Sequence, residues 1–335
     1  MAQTPFLRLI SRLTSSVLAL FLCFPSATAW AQEIRLFRIG TGGLLGVYHP
    51  LGQALAEGIT TATALPELIA VAQTSGGSVE NVQALLAGEI EAGLVQADVA
   101  LWALQGRGPF AGDDRGRHVR AVASLYPERL QIVTRRDADI RSITDLRGKS
   151  ISLDEAGSGT LAVMRIVLED HGLSEKDLSP VYLKPEFTTE KIISGGLHGF
   201  CLMAGTPAQA ITTVMDQDLF MVPVAPEIAA RISRRHPYLV PGMIPADSYE
   251  GVPETATIEV HALLLVHEDL DEALVYEMTA TLWSEQTRFL LHQAHPQSRS
   301  VTLDTALQGL SVPLHPGARR FYQEQNMLPL ETPAP

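Results

Sequence analysis

The chain has 335 residues, 46% of them apolar and 19% charged, a balance typical of a globular protein and not of a disordered one. Its formal charge is −12, and residues 1–31 contain two arginines and no acid, so removal of that segment leaves an even more acidic chain. This charge argues against nucleic acid as a partner.

Residues 1–31 have the features of a secretory signal peptide. Arg8 and Arg12 precede an apolar run, and small residues follow it, with cleavage expected after Ala29 or Ala31. A buried N-terminal helix or a membrane anchor is the weaker alternative, because the run is shorter than the roughly 20 residues that a span needs. We therefore expect a periplasmic protein. Cys201 would then be its only thiol, buried as a small apolar side chain in a fold without a disulfide.

Short apolar strands alternate with amphipathic helices after this segment, a pattern that predicts an α/β fold with parallel sheets. One helix is predicted after Pro50, another from Ser78 to Gly88, and a single long one over 270–291. The strands are predicted at Leu36–Ile39, Ile69–Ala72, Ala92–Val95, Val119–Leu125, Gln131–Thr134, Lys149–Leu153, Val181–Leu183, Phe200–Met203 and Thr257–Val266.

The order of these elements predicts two lobes. The chain is expected to leave the first lobe at Tyr126-Pro127-Glu128, between two strands, and to return through the proline-rich stretch 223–253. The predicted first lobe is discontinuous, with residues 32–125 and 255–330, and the second lobe is 126–254. Residues 331–335 are expected to form a flexible tail.

Glycine-rich turns stand between a strand and a helix at two places in the first half of the chain. In the first, Thr41, Gly42 and Gly43 precede Tyr48. The second contains Ser75, Gly76 and Ser78. Glycine lets backbone N–H groups approach a ligand, and a helix N-terminus attracts an anion. A tight turn without a ligand, and N-capping by Ser78, are the structural alternatives.

Two further motifs follow the same design. Gln96 ends a strand and could bind a ligand, while Asp98 is expected to cap the next helix or, alternatively, to hold an ammonium group. Ser158, Gly159 and Thr160 join a strand to a helix in the second lobe. Helix N-termini from both lobes would hold a carboxylate without an ion pair.

Enzyme motifs are poor by comparison. Ser158 lacks a Gly-x-Ser-x-Gly frame, and no His-Glu-x-x-His pair occurs. The run from His267 to Glu272 is better explained as an acidic first helical turn than as a metal site. The sequence predicts a binding protein without catalytic residues, metal or cofactor, and a hydrolase that uses Ser158 or Ser78 is the enzyme alternative.

Taken together, these segments resemble the TAXI family, the extracytoplasmic solute receptors of TRAP transporters. Each segment is short, but their order and spacing extend over nearly the whole chain after residue 31. The resemblance rests on 39–43, 46–48, 74–79, 87–89, 96–100, 123–128, 143–149, 157–160 and 313–318.

The resemblance implies a periplasmic binding protein of type II, with two doubly wound lobes joined by a hinge. It implies a monomer that captures a small carboxylate or amino acid, such as glutamate, 2-oxoglutarate or another dicarboxylate, and delivers it to the TRAP membrane subunits. A periplasmic sensing module for a signalling partner is the alternative. The implied ligand-binding residues are Thr41, Gly42, Gly43, Tyr48, Ser75, Gly76, Ser78, Gln96, Tyr126, Ser158, Gly159 and Thr160.

Overall fold

The computed structural model describes residues 34–62 and 64–329. The predicted signal peptide and the predicted tail lie outside these ranges. Strands β1 to β10 span Arg35–Gly40, Leu68–Gln73, Ala92–Gln96, Val119–Arg135, Ser150–Ser152, Ser179–Val181, Gly199–Ala204, Leu219–Met221, Val240–Ile244 and Thr255–His267.

Helices α1 to α10 span Tyr48–Thr61, Ser78–Leu86, Ala97–Gln105, Gly159–Asp170, Pro185–Ile193, Gln209–Thr212, Pro226–Arg235, Glu272–Leu282, Glu285–Ala294 and Pro316–Glu324. Short 3-10 turns occupy Gly108–Phe110, Arg115–His118, Arg136–Ala138, Ile143–Leu146, Glu175–Asp177, Pro296–Ser300 and Leu303–Thr305. None of the helices in the described ranges combines the length and the apolar character that crossing a membrane requires.

The strands form one mixed sheet in the order β2-β1-β3-β10-β4-β7-β5-β6, with β8 beside β4 and β9 beside β10. β1 pairs in parallel with β2 and β3, and β5 pairs in parallel with β6 and β7. β4 and β10, however, are antiparallel to their neighbours. The prediction of parallel sheets is therefore wrong for β4 and β10, two long strands in the middle of the sheet that run antiparallel to their neighbours.

Both faces of the sheet are buried. Along β10, Leu264 and Val266 belong to one apolar core, whereas the alternating Leu263 and Leu265 belong to another on the opposite face. Alternate side chains of a strand point to opposite faces, so apolar residues at both parities require helices on both sides. The protein has the predicted α/β architecture, with helices covering a central sheet.

The predicted interruption at Tyr126-Pro127-Glu128 is wrong, because β4 is continuous over Val119–Arg135. Pro127 is opposite His261 of β10, and the pairing with β7 on the other side begins only at Arg129. A proline lacks the N–H group that a second neighbour would need, and none is paired there. The boundary between two lobes stays a prediction.

Two smaller predictions also need correction. The helix expected over 270–291 is two helices, α8 and α9, because Ser284 accepts a hydrogen bond from the Thr287 amide at 3.2 Å and begins a new helix. The strand expected at Val181–Leu183 is β6, which ends at Val181.

Candidate ligand-binding site

The first glycine turn joins β1 to α1. The first backbone N–H groups of a helix have no partner within it. In α1 the N-cap residue, Val47, also provides no side-chain cap for them. A methyl group on Gly43 would lie 3.0 Å from the Pro185 Cδ atom at the start of α5. The turn therefore packs closely against α5, as the absence of a side chain at Gly43 permits.

The second turn leads from β2 into α2. Gly77 is the N-cap residue, at φ +108°, a conformation that favours glycine. The expected N-cap role of Ser78 is therefore wrong. Its hydroxyl instead accepts a hydrogen bond from the Gln96 amide at 3.0 Å and lies 3.4 Å from the Tyr48 hydroxyl. Ser78 thus connects the ends of three elements.

The third turn joins β5 to α4 and meets α2 directly. The backbone amides of Val79 and Glu80 both donate to the Gly157 carbonyl, at 3.0 and 3.2 Å. Two N–H groups at the start of α2, which were predicted to be free for a ligand, therefore form hydrogen bonds within the protein. The turn occupies the position that a small anion would take at this helix end.

The start of α4 lies against Gln96. The Ser158 hydroxyl accepts a hydrogen bond from the Leu161 amide at 3.0 Å, and that of Thr160 accepts one from the Met203 amide at 3.0 Å. A methyl group on Gly159 would lie only 2.3 Å from the Gln96 Oε1 atom. Gln96 Oε1 is buried and has no hydrogen-bond partner among the described residues, so one acceptor there is left for a ligand.

Glu128 of β4 is the first of two buried carboxyl groups at this site. It is 2% exposed and accepts a hydrogen bond from the Tyr48 hydroxyl at 2.8 Å. Burial raises the pKa of the Glu128 carboxyl well above its usual value, the Tyr48 hydroxyl opposes this, and nearby Asp98 adds to it. Within the described residues, the Glu128 carboxyl group has no lysine or arginine partner, so burial favours its proton-bound form relative to an exposed carboxyl group.

Asp154 is the second, in the turn after β5. It has a φ of +67°, which is unusual for a residue other than glycine. Burial raises the pKa of its carboxyl group to about 7, against the effects of the Thr160 hydroxyl and the Glu155 amide, which donates to Asp154 at 2.9 Å. A strained conformation that keeps a carboxyl group buried is typical of a functional position.

These elements enclose a cavity of about 50 Å³. That volume holds one or two water molecules, each taking about 30 Å³ in the liquid. Neither lysine nor arginine contributes to its wall. The lining residues are Gly42, Gly43, Gly46, Val47, Tyr48, Gly76, Gly77, Ser78, Gln96, Glu128, Asp154, Glu155, Ser158, Gly159, Thr160, Pro185, Leu202, Met203 and Ala204.

Charged groups also surround this cavity. The Lys184 Nζ atom is 3.9 Å from the Glu155 carboxylate, and Glu186 accepts a hydrogen bond from the Leu45 amide at 3.2 Å. His49 lies next to the first turn, and burial lowers the pKa of its imidazole. Acidic groups therefore outnumber basic ones around the site, and its attraction is greater for a cation than for an anion.

Nine of the twelve predicted ligand-binding residues line this cavity, and Thr41, Ser75 and Tyr126 do not. The Thr41 hydroxyl donates to the Gln73 carbonyl at 2.6 Å, and that of Ser75 donates to Asn81 at 2.7 Å. Both side chains stabilise the turns through these hydrogen bonds and do not line the cavity. Tyr126 is 1% exposed and is not among the residues that line the cavity.

Two carboxyl groups of this site were missed as ligand-binding residues. Glu128 lay within the predicted break between strands, where no side-chain direction could be assigned. Asp154 directly follows the strand predicted at Lys149–Leu153, but the sequence does not show that its side chain is buried. The only sequence signal that these carboxyl groups belong to the site was the position of an acidic residue after an apolar strand.

Asp98 does not cap α3. The helix begins at Ala97, so Asp98 is inside its first turn, 2% exposed, and neither carboxyl oxygen has a hydrogen-bond partner in the described part of the chain. Burial raises the pKa of its carboxyl group to about 7, partly opposed by the nearby amides of Asp98 and Val99. Cys201, in contrast, is buried as predicted, and burial raises the pKa of its thiol.

The two serines considered as nucleophiles lack a base. Ser78 contacts the Gln96 amide and the Tyr48 hydroxyl, and Ser158 contacts the Leu161 amide. Within residues 34–62 and 64–329, neither hydroxyl is hydrogen-bonded to a histidine, which an activated serine requires.

Several solved structures have a similar fold. PhnD1 from Prochlorococcus marinus (MIT 9301), solved with methylphosphonate, has a TM-score of 0.53 at 9% identity, over 88% of this chain and 100% of that one. A protein of Bordetella bronchiseptica RB50 has a TM-score of 0.51 at 14% identity, over 88% and 99%. The aliphatic sulphonate binding protein SsuA from Escherichia coli has a TM-score of 0.47 at 15% identity, over 88% and 94%.

The match to PhnD1 confirms the predicted fold of a periplasmic binding protein. At such low identity a structural likeness is informative about the fold alone. The sequence itself gives the family, because the profile described as the NMT1-like family matches residues 39–325. This chain belongs to the NMT1-like family.

Proposed function

We propose that this protein is an extracytoplasmic solute-binding receptor that delivers a small ligand to a membrane transporter. The observation that carries the proposal is the polar cavity, whose walls come from three strand–glycine–helix turns distributed over residues 41–160. PhnD1, which shares the fold, was solved with a small ligand, methylphosphonate. A TRAP-type membrane partner is the finer proposal, and it rests on the TAXI resemblance.

The ligand must enter by separating the cavity walls, because about 50 Å³ is too small for any dicarboxylate or amino acid. The contacts that would break are few. They include the hydrogen bonds from Val79 and Glu80 to Gly157 and the one from Leu45 to Glu186. This arrangement corresponds to a closed form, and the hinge motion implied by the resemblance would open it.

Among the proposed carboxylate ligands, the charged groups of the cavity favour an α-amino acid. Glu128 and Asp154 are carboxyl groups without a compensating cation, and a ligand ammonium group would supply one. The ligand carboxylate would bind the free N–H groups at the starts of α1 and α4. Glutamate satisfies both ends of the site. 2-Oxoglutarate has a keto group in place of the ammonium group and leaves the buried carboxyl groups uncompensated.

The test is calorimetric titration of the protein purified from the periplasm without unfolding. The panel is glutamate, glutamine, 2-oxoglutarate, succinate and methylphosphonate, the last being the ligand solved with PhnD1. We expect glutamate or glutamine to bind at least about tenfold more tightly than 2-oxoglutarate, since a charge-assisted hydrogen bond contributes about 1.5–3 kcal/mol. Tighter binding of 2-oxoglutarate or methylphosphonate would contradict the amino-acid proposal, and no binding by any solute would contradict the receptor proposal.

A further inference from the structure

A second and much larger cavity lies between α3 on one side and α4 and the end of α7 on the other. Its volume is about 560 Å³, within the range of small-molecule sites. It shares no lining residue with the polar cavity. Three arginines, Arg107, Arg165 and Arg235, line it together with aromatic and aliphatic side chains. The cavity therefore combines apolar surface with positively charged groups.

The apolar part of the wall comes from all three elements. Trp102 of α3 is partly exposed, and its indole ring meets the His236 imidazole edge to face, with ring centroids 6.4 Å apart. Tyr238 adds a further ring, and Leu101 and Ile166 add aliphatic surface. Such a surface favours a ligand with an apolar body, and an aromatic body gains ring contacts as well.

Two of the arginines have incompletely compensated charges. Arg107 is exposed, and its guanidinium group has no ion-pair or hydrogen-bond partner among the described residues. Arg235 shares the carboxylate of Asp170 with Arg231, whose Nε atom is 2.7 Å from Asp170 Oδ1. Two guanidinium groups thus face one negative charge, which leaves a positive charge beside the cavity.

The wall presents no carboxylate oxygen to a ligand. Asp98 is its only acid, and both of its carboxyl oxygens are buried, so neither reaches the cavity. Glu175 compensates Arg165 at 2.6 Å but does not line the cavity, and neither does the nearby Glu169. The charge that the wall itself presents to a ligand is positive, although the whole chain has a formal charge of −12.

We propose that this cavity is a second ligand site, which binds a small aromatic carboxylate with its ring against Trp102 and its carboxylate at Arg107 and Arg235. A guanidinium group is well matched to this ligand, because its fork of N–H donors can bind both oxygens of a carboxylate. The site is separate from the polar cavity and does not depend on the proposed function.

The test compares three probes that share one ring and one chain length and differ only in the end group, namely 4-phenylbutyrate, 4-phenylbutan-1-ol and 4-phenylbutylamine. Calorimetric titration of the protein purified from the periplasm measures their affinities. We expect the carboxylate to bind about tenfold more tightly than the alcohol, and the amine to bind most weakly. This preference should decrease at high salt, because Arg107 and Arg235 are exposed.

Variants of the arginines locate the charge preference. Arg107→Gln and Arg235→Gln should each weaken 4-phenylbutyrate by about threefold and leave the alcohol nearly unchanged. Both positions are exposed, and Arg231 still compensates Asp170 in the second variant. The matched control is Arg299→Gln, an exposed arginine outside the wall, which should leave every affinity unchanged.

Ile166→Trp tests the location, because its larger side chain fills the cavity and should weaken all three probes. The proposal is overturned if native protein binds the alcohol or the amine as tightly as the carboxylate, or binds none of them saturably. It is also overturned if both arginine variants keep the native preference, or if Arg299→Gln lowers it equally. Undiminished binding to Ile166→Trp would place the probes elsewhere on the protein. If that variant does not fold, the comparison of Arg107→Gln with Arg299→Gln decides.

Discussion

Two regions of the molecule bury the same chemical group in different surroundings. In the small cavity, Glu128 and Asp154 lie among glycine turns and helix N-termini, with hydroxyl and amide donors in contact. In the first turn of α3, Asp98 is 2% exposed, and its carboxyl oxygens have no hydrogen-bonding partner in the described chain. Burial raises the carboxyl pKa in both places. The difference shows that burial alone shifts a carboxyl pKa, whereas only the carboxyl groups of the small cavity lie where a ligand can reach them.

The largest effect is expected for Glu128→Gln. The amide keeps an acceptor for the Tyr48 hydroxyl, so the fold is retained, but the negative charge for the ligand ammonium is lost. Glutamate affinity should fall by about 30-fold to 100-fold, the equivalent of a charged hydrogen bond. Calorimetry measures this change, and the exposed Glu89→Gln is the matched control. Equal affinities in the two variants would mean that Glu128 does not face the ligand.

A smaller effect concerns stability without ligand. Burial raises the pKa of Asp98 to about 7 from 3.8 in the unfolded chain, so the folded state holds a proton that the unfolded state has released. Stability from this group is therefore lost as the pH rises from about 4 to about 7. Asp98→Asn should raise the free energy of unfolding at pH 8 by about 1–2 kcal/mol and leave it nearly unchanged at pH 4.

Urea denaturation at the two pH values measures this difference. The exposed Asp269→Asn serves as control and should be neutral at both. A destabilised Asp98→Asn at pH 8 would show that the carboxylate has a stabilising partner and would contradict this prediction.

The smallest effect is expected for Gly159→Ala. The added methyl group would lie 2.3 Å from Gln96 Oε1, and the end of a flexible side chain can move away. Displacing Gln96 removes one acceptor from the site, so glutamate affinity should fall by about fivefold with little loss of stability. Gly196→Ala is the matched control, because Gly196 lies outside the cavity wall and its methyl group would lie 3.5 Å from the nearest atom, an ordinary contact. An equal loss in both variants would argue against a role for Gln96.

The glycine turns could be predicted from the sequence because the residues that define each turn are neighbours in the chain. Glycine after a strand, followed by an apolar helical period, placed Gly42, Gly76 and Gly159 at the cavity. The parallel strands β1, β2 and β3 end at one edge of the sheet, which brings their turns together. Six of the nine predicted residues in the wall reach it for this reason, and the other three follow β5.

The electrostatics of the site could not be predicted, because they depend on long-range packing. Whether Glu128 is buried is decided by β10 and Tyr48, neither of which is near it in the sequence. The central strand β4 was divided in the prediction because Pro127 is a strand breaker in most contexts.

The pH dependence of glutamate binding tests the account most directly. A ligand ammonium group favours the ionised forms of Glu128 and Asp154, whose pKa values are raised, so binding should release protons near neutral pH. Calorimetry in buffers of different ionisation enthalpy counts these protons. Glutamate affinity is predicted to rise by up to about tenfold per pH unit for each proton released, and the part due to Asp154, whose pKa is about 7, should level off above about pH 8. Affinity that falls as the pH rises, with uptake of protons, would mean that the site binds an anion and would contradict the account.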